Sequence, residues 1–122
     1  MIKTIIIEDE ARSREILHSM LLNHFNDVEV LAVCSNTEDG KAAIEGLHPN
    51  LVLTDIELRE QQVFSMLQKL NNIDFEIIFT TAHEHYAIKA IKFSALDYLL
   101  KPFSVEDLAE AIDHYQIGRA HV

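Results

Sequence analysis

Short unbroken apolar runs alternate along this chain with stretches whose apolar residues recur at helical spacing, and this alternation restricts the fold more than any other feature. Ile2 to Ile7 is β-branched and largely apolar, with only Lys3 charged, the pattern of a strand buried on both faces. From Glu10 the period becomes helical. Ile16, Leu17, Met20 and Leu21 share one stripe, and Arg12, Arg14 and Glu15 lie on other faces. Val28 to Cys34 is a second strand. A Ser35–Glu38 capping box is expected to open a helix carrying Ala42, Ala43 and Ile44, with Gly46 and Pro49 marking its end. Leu51, Val52 and Leu53 form a short third strand that runs into Thr54 and Asp55. Phe64, Leu67 and Leu70 then predict a third helix, residues 75–80 a fourth strand, and Ala87, Ile88 and Ile91 the lining of a fourth helix. Residues 95–100 are the fifth strand, and Ser104 with Asp107 caps a last helix whose Leu108, Ala111, Ile112 and Tyr115 face inward.

Five β–α units in strict alternation, within 122 residues, imply one compact domain built on a parallel sheet covered by helices on both faces. Its crossovers are expected to be right-handed. In such folds ligands sit beyond the carboxyl ends of the strands, where the strand order reverses. The chemically versatile residues fall at those ends. Glu8, Asp9 and Glu10 follow strand one, Asp55 ends strand three, Thr80 and Thr81 end strand four, and Lys101 follows strand five. With strand one between strands two and three, Glu8, Asp9 and Asp55 would converge. Clustered carboxylates need a compensating cation, and an all-oxygen set suits a hard ion such as Mg²⁺. Asp55 would then serve as a carboxylate nucleophile, with Lys101 and Thr81 offering donors to a phosphoryl group. Taken singly these residues say little: an Asp after a strand usually forms a turn, and a Thr at a strand end usually reflects β propensity.

The balance of charge excludes some functions. Ten basic against twenty acidic residues leave a formal charge of −10, so this segment lacks the basic face that direct nucleic-acid binding requires. Cys34 is the single cysteine and lies in an apolar run, so a buried structural thiol is expected rather than a nucleophile, a disulfide or a zinc ligand. No apolar stretch approaches membrane-spanning length and no signal segment opens the chain, so a cytoplasmic location is the default expectation.

The runs Ile-Ile-Ile-Glu-Asp-Glu (5–10), Thr-Asp-Ile (54–56), Thr-Ala (81–82) and Asp-Tyr-Leu-Leu-Lys-Pro-Phe (97–103), in this order and spacing, resemble the receiver domain of bacterial two-component response regulators. The resemblance covers about residues 2 to 115. The segment 81–103 is similar to receivers attached to LytTR-type DNA-binding output domains. The resemblance implies a flavodoxin-like fold with strand order 2-1-3-4-5 and phosphorylation of Asp55 by a partner sensor histidine kinase. It implies that Asp9 binds Mg²⁺ directly, Glu8 through a metal-bound water, and Glu57 through its backbone carbonyl. Thr81, the Ala82 backbone N–H and Lys101 would hold phosphoryl oxygens, and the Lys101–Pro102 bond would be cis. Tyr98 would be an aromatic switch residue that turns inward as Thr81 moves. The surface of the fourth helix, fifth strand and fifth helix would carry the output and mediate dimerisation, with DNA bound only through an output domain. Such a domain is a signalling phosphoacceptor rather than an enzyme acting on a separate substrate. Residues 1–116 would form the receiver, while 117–122 fit no helix face and are set aside as an extraneous tail, with no output domain present.

The chain departs from the family after Asp55. Arg59 stands where proline is usual and Val63 where glycine is usual, so the loop is expected to take another shape if the glycine position uses positive φ. Glu57 and His83 occupy positions that tune phosphoryl lifetime in the family, and the Glu57 carboxylate is expected to affect approach of the hydrolytic water. His83 and His85 form a His-x-His pair with no third ligand evident nearby, so a loop entering a helix is the simpler reading than a transition-metal site. Two other functions use similar residues. An aspartyl-phosphate hydrolase would carry an Asp-x-Asp pair after strand one and extra cap segments. An unphosphorylated interaction module would normally have lost Asp55, an acidic partner or Lys101.

Overall fold

The structure is a computed structural model that describes residues 1–57, 60–70 and 73–120, the side chains of 60–62 and 119–120 excepted. Its elements follow the order β1 (Ile2–Ile7), α1 (Ala11–His24), β2 (Val28–Cys34), α2 (Thr37–Leu47), β3 (Leu51–Asp55), α3 (Glu60–Lys69), β4 (Glu76–Thr81), α4 (Ala87–Lys92), β5 (Asp97–Leu100) and α5 (Val105–Ala120). A single 3₁₀ turn, Glu84–Tyr86, leads into α4. All four strand pairings are parallel and the order is β2-β1-β3-β4-β5. The order reverses beside β1, so the carboxyl ends of β1 and β3 are neighbours, as the sequence pattern requires.

The period of two along each strand divides the core into two layers. Ile5, Ile7, Val52, Ile77 and Phe79 face one side, where Ile44 of α2, Val63, Met66 and Leu67 of α3 and Ala90 of α4 cover them. Ile6, Leu51, Leu53 and Ile78 face the other side, under Leu17 and Leu21 of α1 and Leu108, Ala111, Ile112 and Tyr115 of α5. Every strand except the two edges is thus buried above and below, which explains why the runs read as continuous rather than alternating. Cys34 is buried at the end of β2, and burial pushes its thiol above the ordinary cysteine range, consistent with a structural role.

Helix ends differ in detail from the expected ones. The α2 cap is Asn36, whose side chain accepts from the Asp39 N–H at 2.8 Å, one residue later than the Ser35–Glu38 box. The helix runs through Gly46 and stops at His48, which adopts the left-handed conformation with φ 52°. The α5 box is as expected. Asp107 N–H donates to Ser104 Oγ and Ser104 N–H to the Asp107 carboxylate, each at 3.0 Å. That helix continues to Ala120, so the first residues of the closing hexapeptide extend it rather than leaving it. Val63 lies inside α3 with its side chain fully buried, and its φ is not positive. The chain therefore enters α3 by Glu60, and the position needs no glycine; Arg59 lies outside the described residues. Ile88 and Ile91 are 65% and 71% exposed and Ile16 is also exposed, so Ala90 alone among the buried residues anchors α4.

Candidate functional site

β1 ends at Ile7, and the chain then turns outward under two constraints. Glu8 N–H continues the ladder to the Cys34 carbonyl at 2.9 Å, and Arg14 on the first turns of α1 reaches back to the Glu8 and Asp9 carbonyls at 2.9 and 3.3 Å. Arg14 thereby holds the acidic loop by its backbone and leaves the carboxylates to face inward. The sequence placed Arg14 only on an outer helical face and did not assign it this role.

Asp55 is the last residue of β3 and is buried. After it, Ile56 N–H still bonds the Thr80 carbonyl at 3.0 Å, and the chain turns at Glu57. Glu57 N–H donates to Asp55 Oδ1 at 2.8 Å, a side-chain-to-backbone turn that sets the orientation of the carboxylate. The loop after β5 is pinned by Lys101 N–H to the Thr81 carbonyl at 2.7 Å, and the Lys101–Pro102 bond is cis. From there the Lys101 ammonium donates to Asp55 Oδ2 at 3.0 Å and to Glu8 Oε1.

The expected convergence is therefore present. Carboxylate oxygens of Glu8, Asp9 and Asp55 all lie within 4.8 Å of one another, the one such group of His, Cys, Asp and Glu among the described residues. Glu8 and Asp55 are buried and Asp9 is exposed. One ammonium bonds two of the three clustered carboxyl groups. Burial, followed by repulsion from Asp55, pushes the Glu8 carboxyl up to about 7 despite its bond to Lys101. Lys101 shows the opposite balance. Its burial works against the charge, but the bonds to Glu8 and Asp55 outweigh that and hold its ammonium above the usual lysine range. A cluster with excess negative charge and only oxygen donors fits a hard divalent cation, which would relieve the repulsion that Lys101 alone does not.

On the far side of Asp55, Thr81 ends β4 with its side chain buried. Its hydroxyl donates to Glu57 Oε1 at 2.6 Å and accepts from His83 N–H at 3.1 Å. Ala82 N–H donates to the same Glu57 oxygen, also at 2.6 Å. His83 Nε2 is 3.7 Å from the other oxygen, Oε2. Partial burial pushes the Glu57 carboxyl up, but the Thr81 hydroxyl, the Ala82 N–H and the His83 and Lys101 charges outweigh it and hold the group below the usual glutamate range. The sequence located Glu57, Thr81 and Ala82 but not this contact among them. Tyr98 is half-buried in β5 and pairs with Phe79, two residues before Thr81. His83 and His85 stack at 5.4 Å where the loop enters the 3₁₀ turn.

Comparison with known proteins identifies the family to which this fold belongs. Residues 4–113 match the family described as the response regulator receiver domain. The chain is 36% identical over 116 residues to the transcriptional regulatory protein BtsR of Escherichia coli K12, covering 92% of this chain and 47% of that protein. It is 34% identical over 113 residues to the sensory transduction protein LytR of Staphylococcus haemolyticus, covering 91% and 44%. The chain thus spans less than half the length of these relatives. Among solved structures, a DNA-binding response regulator of the LuxR family from Staphylococcus aureus superposes with a TM-score of 0.80 at 28% identity, over 94% of this chain and 98% of that one. A response regulator receiver domain protein from Clostridium thermocellum has the same fold over the full length of both chains, with a TM-score of 0.82 at 23% identity. With its five parallel strands in the order 2-1-3-4-5 and its relatives among LytR-type regulators, this chain belongs to the receiver domain family of two-component response regulators.

Proposed function

We propose that Asp55 is the phosphoacceptor of this receiver and that its phosphorylation, by a partner sensor histidine kinase, depends on Mg²⁺. The observation that carries this reading is the Asp55 carboxylate itself, held between Glu57 N–H and Lys101 Nζ at the carboxyl end of β3, beside Glu8 and Asp9. Glu8, Asp9, Asp55 and the Glu57 backbone carbonyl would hold the ion. When bound, Mg²⁺ supplies positive charge against the oxygens of the transferring phosphoryl group.

An Asp55 carboxylate oxygen attacks the phosphorus of a phosphohistidine on the kinase. A P–O bond forms as the P–N bond breaks, and the imidazole leaves with the bonding pair and takes a proton from water. Lys101, Thr81 Oγ1 and the Ala82 N–H then hold the phosphoryl oxygens. Movement of Thr81 toward that group lets Tyr98 turn inward and biases the surface of α4, β5 and α5. That surface would control a DNA-binding output domain of the LytTR type, and dimerise. DNA is contacted through that domain and not by this acidic segment, and the site serves signalling rather than turnover of a separate substrate.

Incubation with Mg²⁺ and a small phosphodonor, followed by intact-mass measurement, tests the reading. Wild type is expected to gain one phosphoryl adduct and Asp55→Asn none. Absence of the adduct on wild type would overturn the assignment.

A further inference from the structure

We propose that the Glu57 carboxylate is a built-in competitor for the phosphoryl group: its Oε1 fills the two-donor cradle of Thr81 Oγ1 and Ala82 N–H, and it must swing out before an anion on Asp55 can be held there. The inference rests on Asp55 being the acceptor and adds a regulation of that same site.

The geometry is specific. Glu57 follows Asp55 by two residues, on the turn that leaves β3, yet its side chain crosses to the end of β4. One carboxylate oxygen accepts from both donors at 2.6 Å, a length typical of a charge-assisted O–H···O⁻ bond for Thr81 and a close approach for the Ala82 N–H. An oxygen of an acyl phosphate on Asp55 would call on the same two donors. An exposed glutamate with no such role would be solvated; this one converges on the hydroxyl and amide that the acceptor chemistry needs.

The Thr81 hydroxyl sharpens the competition. It has one proton, whose nearer acceptor is Glu57 Oε1 at 2.6 Å and whose more distant one is the His83 carbonyl at 3.4 Å, while its lone pair accepts from His83 N–H. An incoming phosphoryl oxygen therefore has to displace the short Glu57 bond to receive the Thr81 proton. Release of Glu57 and repositioning of Thr81 become one event, so the carboxylate opposes the active arrangement as well as the bound anion. His83 Nε2 lies 3.7 Å from the other oxygen, Oε2, on the outer side. A cradle closed about nine-tenths of the time weakens the apparent affinity of an incoming anion about tenfold, because only the open fraction binds.

The test is a titration with beryllofluoride in the presence of Mg²⁺, followed through backbone amide resonances, on wild type, Glu57→Ala, Glu84→Gln and Asp55→Asn. Glu84 is an exposed carboxylate on the neighbouring 3₁₀ turn and controls for a general change of charge. Glu57→Ala is expected to reach half-saturation at about one-tenth of the wild-type concentration. Glu84→Gln is expected to match wild type. In the anion-free state the Ala82 amide proton of Glu57→Ala is expected upfield of its wild-type position, because its carboxylate acceptor is gone. Saturation of wild type and Glu57→Ala at the same concentration overturns the competitor while leaving the acceptor reading intact. An equal gain in Glu84→Gln, or an unmoved Ala82 amide, also overturns it. No binding by any protein, wild type included, overturns the acceptor reading and the competitor with it.

Discussion

Burial, Asp55 and Lys101 act on the Glu8 carboxyl at once, and burial outweighs the ammonium: the group is pushed from 4.5 to about 7. In the unfolded chain it loses its proton near 4.5, whereas the folded protein keeps it to about 7. The stability Glu8 contributes is thus fully present below 4.5 and is lost as pH rises through 7. Over that window the loss is about 3 kcal/mol. Urea unfolding of the metal-free protein checks this. Between pH 4.5 and 8, wild type is expected to lose about that much stability relative to Glu8→Gln, which cannot titrate. Mg²⁺ adds a second readout. At a hundredfold excess over its dissociation constant it is expected to stabilise wild type by about 2.7 kcal/mol, and Asp9→Asn much less at the same concentration.

At the scale of elements, α2 lies close against β1. A Cβ built on Gly40 would stand 2.5 Å from Ile7 Cδ1 and 3.0 Å from its Cγ1, and Ile7 is itself buried. Alanine would gain roughly 0.5–1 kcal/mol of helix propensity at this position. Overpacking a filled core costs roughly 1–3 kcal/mol, and a 2.5 Å approach puts the clash in command. Gly40→Ala is therefore expected to lower stability by about 1 kcal/mol. Ile7→Val removes Cδ1, so the Gly40→Ala and Ile7→Val double variant is expected to be more stable than the sum of the two single changes. A double-mutant cycle in denaturant measures this coupling. The same close approach matters for function, because Ile7 is the residue before Glu8 and its position sets where the acidic loop begins.

For the molecule as a whole, the site and the proposed output face are joined through β4 and β5. Thr81 pairs with Leu100 in the ladder, and Phe79 pairs with Tyr98. Phe79 also packs against Phe64 of α3 and Phe93, next to α4, at centroid distances of 5.6 and 6.1 Å. Thr81 is thus connected through the β4–β5 ladder to the layer under α4. That helix leaves Ile88 and Ile91 open to solvent, and Leu100 of β5 is also exposed. A second copy of this surface in its active form is the occupant proposed for it. Sedimentation velocity checks the idea: wild type is expected to move toward a dimer on adding beryllofluoride and Mg²⁺, and Ile91→Asp to remain monomeric under the same conditions while still binding the anion.

The sequence by itself determined the parallel α/β architecture, the order of its elements and the set of residues at the strand ends. Those follow from periods of two and 3.6 residues, which recur within each element and do not depend on what it packs against. The gathering of Glu8, Asp9 and Asp55 followed from strand order, and Lys101 from its place after β5. What only the tertiary structure decided were contacts between residues remote along the chain or choices too local for periodicity. Lys101 meets Glu8 across 93 residues, and Glu57 meets Thr81 across 24. No repeat records where such side chains turn. Arg14 looked like an outer-face charge until the end of β1 was placed beside it. Ile88 and Ile91 looked inward-facing because α4 has only six residues, too few for apolar spacing to distinguish the core side from the solvent side. The Glu57 carboxylate is the sharpest case. Its position relative to Asp55 was legible, but its occupation of the Thr81 and Ala82 donors depends on how closely β3 and β4 bring two loops together.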